Sequence, residues 1–135
     1  MPSMFEMVKE FQRDVIKYPL PAAPVLASTT VRDLIYGQLV HVEEELHEIN
    51  LALDSHSLVG MADGITDAVY VLLGIAARIG LPIDEIFEVV HRANMQKVAG
   101  ITKRNIDYDA VKPAEWVSPE SKIADIIIEK MMPAR

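Results

Sequence analysis

Between Val42 and Ile49 the chain sets Glu43, Glu44, Glu45 and Glu48 into an apolar pattern of helical period, and Asp63 and Asp67 answer them from a second such pattern. Carboxylates on or beside the apolar face of a helix are costly to bury alone. A fold that accepts them must turn them to water or bring something positive to them.

The surrounding spacing is helical almost throughout. Met4, Met7, Val8, Phe11 and Val15 share a stripe, which predicts a short first helix over residues 4–17. The prolines at 19, 21 and 24 end it and predict an extended surface connector over 18–28. Thr30 reads as the cap of a second helix, with Asp33 favourable in its first turn. Apolar residues at 31, 34, 35, 39, 42, 46, 49 and 53 carry that helix to the break at Asp54-Ser55-His56-Ser57. From Leu58 to Ile79 the chain is apolar on nearly every side, the pattern of a central, buried helix, and Gly80 and Pro82 stop it. Ile83-Asp84-Glu85 opens a fourth helix predicted to run to Val98, with Gly100 closing it. Residues 100–117 read as loop with short strands, and Ser118-Pro119-Glu120 starts a last helix over 119–131. The expected architecture is a single all-α domain over residues 1–135, a four- or five-helix bundle. So apolar a third helix in so short a chain predicts a core completed by self-association, as a homodimer or homotetramer.

Composition narrows the chemistry. The formal net charge of −7 disfavours binding to a nucleic-acid backbone. With no cysteine, thiolate metal sites and a cysteine nucleophile are excluded. The amino terminus lacks the basic and apolar regions of a signal peptide. Asp63, Asp67 and Arg78 interrupt the longest apolar stretch before it reaches the roughly 18 uninterrupted residues expected of a membrane span. A cytoplasmic protein without membrane or nucleic-acid partners is expected.

On a helical wheel Glu45 lies about 60° from the centre of the second helix's apolar stripe, Glu48 about 120° and Glu44 about 160°. Asp63 and Asp67 are i and i+4 on the third helix, with Tyr70 continuing their face. The short connector predicts an antiparallel hairpin in which Glu48 faces Asp63 and Glu44 faces Asp67. Up to five carboxylates would then converge with no basic residue among them. Oxygen ligands of this kind suit Mg²⁺ or Mn²⁺, with substrate phosphates completing the shell. The plainer reading of the glutamates is a solvated acidic face.

Glu44-Glu45-x-x-Glu48, then Asp63-Gly64-x-x-Asp67-x-x-Tyr70, then His91-Arg92-Ala93-Asn94-Met95-Gln96-Lys97 resembles the MazG-like and phosphoribosyl-ATP pyrophosphohydrolase-like superfamily of all-α nucleotide pyrophosphohydrolases. The Lys112-Pro113-x-x-Trp116 segment is similar to the tail of members near its dimeric dUTPase-like branch. The resemblance covers roughly residues 30–130. It implies Glu44, Glu45, Glu48 and Asp67 as Mg²⁺ ligands, and Asn94 and Lys97 as contacts to the nucleotide or its phosphates. It also points to oligomerisation. One departure stands out: many members carry Glu where this chain has Gly64, so Asp63 is the expected substitute ligand. The implied reaction converts a nucleoside triphosphate, or a related nucleotide, to the monophosphate and pyrophosphate. In it Glu44 or Glu45 takes a proton from the attacking water, and Lys97, with Arg92, steadies the phosphate charge.

Other residues read two ways. Lys103, Arg104 and Lys112 are phosphate clamps or solvated cations, and Tyr70 and Trp116 are base-stacking rings or core. Asn94 is otherwise a buried amide. Glu44/His47 and Glu88/His91 raise a di-iron carboxylate bundle as a rival, although the helical pitch turns both pairs outward. A non-catalytic helical interaction module is the third reading.

Overall fold

The structure, a computed structural model, describes residues 1–26 and 28–133. It is all-α apart from one small hairpin, and it resolves into two compact units, Met1–Leu81 and Pro82–Arg135. The proline-rich connector is expected to include Ala27, which lies outside the described residues.

The first unit holds α1 (Met4–Asp14), α2 (Thr29–Asp54) and α3 (Leu58–Arg78). A serine caps each of them. Ser3 accepts from the Glu6 amide at 3.0 Å, Ser28 from Val31 at 3.5 Å and Ser57 from Gly60 at 3.0 Å. Each satisfies one of the free amides that every helix start leaves, an effect of about 1 kcal/mol. The α2 cap is therefore Ser28 and not Thr30. At the far end of α3, Gly80 takes the left-handed φ of 72°. A Cβ there would lie 2.8 Å from the Ala23 carbonyl, so only glycine lets the chain turn against the connector.

The third helix packs against both α1 and α2. From α1 it receives Phe5 and Val8, and Gln12, also buried, whose Oε1 accepts from Arg78 Nε at 3.0 Å. Its own buried positions are small: Gly64, Ala68, Gly74, Ala76 and Ala77. They let α2 come close, with Gly60 against Ala52 and Gly64 against Ile49.

Three expectations are corrected here. The third helix is central in its unit but not buried all round. Leu58 is 86% exposed and Val59 82%, and Ile65 and Leu72 are open too, because its close packing against α1 and α2 is made through its small residues. By length and composition alone it is apolar enough to cross a membrane, despite the charges expected to forbid this, with a mean hydropathy of 1.6 over its most apolar window. The apolar stripe of α2 is likewise split. Val42 and Ala52 turn inward with Glu45, whereas Leu34, Leu39, Leu46 and Leu53 remain exposed.

The second unit holds α4 (Ile83–Asn94), β1 (Val98–Gly100), β2 (Asp109–Val111) and α5 (Glu120–Met131). The fourth helix stops at Asn94, short of the predicted Val98. The Gln96 and Lys97 amides turn back to Ala93 and Asn94, and Val98 then pairs with Val111 in the antiparallel hairpin. Strand pairing beyond the helix outcompetes the apolar spacing that continued it. The fourth and fifth helices pack together, with Lys130 Nζ 3.0 Å from Glu85.

Candidate active site

Glu45 sits on the inward face of α2 between Val42 and Ala52 and is only 8% exposed. One carboxylate oxygen, Oε1, lies 3.3 Å from His41 Nε2, one turn back along the helix. The other, Oε2, is buried with no hydrogen-bond partner. Burial pushes the Glu45 carboxyl above its ordinary value, the charges of Glu48 and then Asp67 push it further, and His41 pulls the other way.

The register explains which carboxylates meet. With Ile49 against Gly64, the helices are shifted by one to two residues from the expected facing, and Glu45 rather than Glu44 feels Asp67. Asp67 is half-buried, whereas Glu44, Glu48 and Asp63 are exposed. The predicted convergence of five carboxylates is thereby corrected. Among the described residues, no group of three or more His, Asp or Glu side chains is arranged, as it stands, to hold a metal ion. What the fold brings together is a buried Glu45 flanked by Glu48 and Asp67.

Gly64, where the resemblance expects Glu, also has a local reason. A Cβ there would lie 2.7 Å from Ile49 Cγ1, so the crossing leaves no room for a side chain.

The donor set still fits a hard divalent cation. A buried oxygen without a partner, next to two further carboxylates, is a polar group whose desolvation is otherwise uncompensated. Oxygen ligands of this kind suit Mg²⁺ or Mn²⁺ and not a thiophilic metal.

Tyr70, in the same unit, uses its ring against Phe11, edge-on at 5.5 Å and 75°. That contact braces α3 against α1, and the tyrosine remains exposed at 37%.

In the second unit, Asn94 is exposed at the end of α4, which corrects the buried-amide reading. Lys97 and Lys112 both lean over Trp116, their Nζ atoms 5.1 and 5.0 Å from the ring. Trp116 Nε1 donates to the Ala93 carbonyl at 2.6 Å. The indole is thus an anchor that ties the tail to α4 and gathers two ammonium groups. A cavity of about 550 Å³ opens beside it, lined in part by Arg92, Gln96, Trp116 and Lys122. Arg92 bonds to Glu88. Arg104 is held by Asp109 at 2.8 Å, so each of these guanidinium groups already has a carboxylate partner. The Thr102 hydroxyl, the Ala110 amide and Arg104 together hold the Asp109 carboxyl below its ordinary value.

The ligands of the di-iron rival do not turn inward. Glu44, His47, Glu88 and His91 are all exposed. The contact of His41 with Glu45 follows from their i,i+4 spacing, a signal present in the sequence.

Compared with known proteins, residues 8–94 match the family model described as phosphoribosyl-ATP pyrophosphohydrolase. That span takes in the α2–α3 hairpin with its carboxylates and ends at Asn94. No curated protein matches the chain.

Proposed function

The chain belongs to the phosphoribosyl-ATP pyrophosphohydrolase family, and from that premise we propose that it is a Mg²⁺-dependent hydrolase that splits a nucleoside triphosphate, or a related nucleotide, into the monophosphate and pyrophosphate. The observation that carries this reading is Glu45, buried between Glu48 and Asp67 with one oxygen unpartnered.

Glu45, Glu48 and Asp67 would hold the cation, and Glu44 or Asp63, exposed nearby in sequence, would complete the set as their side chains turn. Mg²⁺, or Mn²⁺ in its place, would supply charge neutralisation at the phosphates and a lowered pKa for the attacking water. With Asp63 completing the set, Glu44, exposed, would be left free of the cation to accept the proton that water gives up. Lys97 and Lys112, gathered over Trp116, are the candidates of the second unit for phosphate oxygens, and Asn94 for the nucleotide.

The open leucines of α2 and the uncovered side of α3 support a homodimer or homotetramer, since apolar faces of this extent are normally covered by a partner.

The test is ³¹P NMR of phosphoribosyl-ATP and a panel of ribo- and deoxyribonucleoside triphosphates incubated with the protein and Mg²⁺. Monophosphate and pyrophosphate appearing together support the reading. Diphosphate and orthophosphate, or no turnover of any nucleotide, would refute it.

A further inference from the structure

Resting on the reading of Glu45 as a cation ligand, we propose that His41 is a positioning residue: its imidazole engages Oε1 of Glu45 and so reserves Oε2 for the cation.

The two oxygens of Glu45 differ in surroundings. His41 Nε2 stands 3.3 Å from Oε1, while Oε2 is buried and bonded to nothing. His41 precedes Glu45 by four residues and Glu48 follows it by three. Imidazole and second carboxylate therefore reach Glu45 from opposite ends along the helix, leaving Asp67 of α3 as the other charged group acting on it.

A carboxylate turns easily about its last torsion, which is broad and two-fold. In a buried site with only like charges for company it would swing away from them and present no fixed ligand. An imidazole N–H donating to one oxygen fixes the plane of the carboxylate and leaves the other, buried and unpartnered, as the oxygen open to a cation. Removing a group that orients a metal ligand in this way typically weakens metal binding by roughly 10–100-fold. His41 is suited to the part because its own side chain is 47% exposed, so that it can reach the carboxylate from the rim without being a buried ligand.

Mn²⁺ binding without nucleotide tests this, read from the loss of the free-ion EPR signal on wild type, Glu45→Gln, His41→Ala, His41→Leu and His41→Gln. Circular dichroism and thermal melts check that each is folded. His41→Leu carries the test if the alanine variant is unstable.

The expected result is binding by wild type, loss in Glu45→Gln, and weakening by roughly 10–100-fold in His41→Ala and His41→Leu. His41→Gln, whose amide can donate to the same oxygen, regains most of the affinity. If His41→Ala and His41→Leu bind like wild type while Glu45→Gln does not, the positioning role is overturned and the metal reading stands. If wild type binds no Mn²⁺, the metal reading itself fails. Imidazole nitrogen couplings in the pulsed EPR of bound Mn²⁺ would make His41 a ligand and overturn the positioning role.

Discussion

Replacing Gly64 by alanine sets two opposed effects against each other at the α2–α3 crossing. Alanine in a helix interior is favoured over glycine by about 1 kcal/mol. Against that, the new methyl would stand 2.7 Å from Ile49 Cγ1, while its next neighbour, the Ile49 amide nitrogen, is at an ordinary 3.6 Å. Carbon atoms sit comfortably at about 3.5–4.0 Å, so one side chain must leave its rotamer or the helices must part. Overpacking of this kind costs about 1–3 kcal/mol. The net expectation is a loss of about 1 kcal/mol, the overpacking cost less the propensity gain. Ile49→Ala alone should cost about 2 kcal/mol, at the low end for isoleucine because the residue is only half-buried. In that background the obstruction is gone, and Gly64→Ala should stabilise by about 1 kcal/mol. The cycle therefore predicts a coupling of about 2 kcal/mol, measured by urea unfolding of the four proteins. If Gly64→Ala stabilises the wild-type background by as much as the Ile49→Ala one, the close crossing is wrong, and with it the register that sets Glu45 near Asp67.

Leu46→Glu, on the open face of α2 in line with Leu39 and Leu53, should shift sedimentation from an oligomer to a smaller species. A wild type that already sediments as a monomer would contradict the proposed assembly. Glu45 has a raised carboxyl, so the metal-free protein should be most stable with it protonated and lose that contribution as pH rises through the raised value. Thermal melts should therefore show Tm rising as pH falls from neutrality toward the carboxylate range, and Glu45→Gln should flatten that slope. Asp109 works in the opposite sense: its lowered carboxyl contributes stability above the ordinary aspartate range, lost as pH falls through the lowered value. Thr102→Val, which removes the largest cause, should bring the acid-side loss to higher pH, followed by NMR of the Ala110 amide. Trp116→Phe removes the bond to the Ala93 carbonyl and should cost about 1 kcal/mol in urea unfolding.

Much of this was legible in the sequence. The spacing of α2 and α3, the glycine stop at Gly80 and the proline start of α5 rest on local physics, and each stands within a residue or two of where it was expected. The wheel placed Glu45 nearest the apolar stripe, and Glu45 is the buried one, but the convergence expected of Glu44 and Glu48 with it did not form. What failed was non-local. Apolar spacing says that a residue prefers burial, not which neighbour is there to bury it, so which faces of α2 and α3 stay open was not legible, although the excess of apolar surface on α3 was. The extent of α4 was decided by Val98 pairing with a strand that begins at Asp109, a competitor invisible to helical periodicity. Gly64 showed only as a departure from a pattern. That it marks a helix crossing emerged with Ile49 beside it. A shift of one residue in that crossing changes which carboxylate faces Asp67.

The central claim is that Glu45 serves a Mg²⁺-dependent pyrophosphohydrolase. Its most direct test is the rate of pyrophosphate release from the best nucleotide, with Mg²⁺ or with EDTA, by wild type and by Glu45→Gln at equal folded fraction. Release by wild type that stops in EDTA, together with none from the folded variant, is the predicted result. Turnover that survives either chelation or the loss of the Glu45 charge would contradict it.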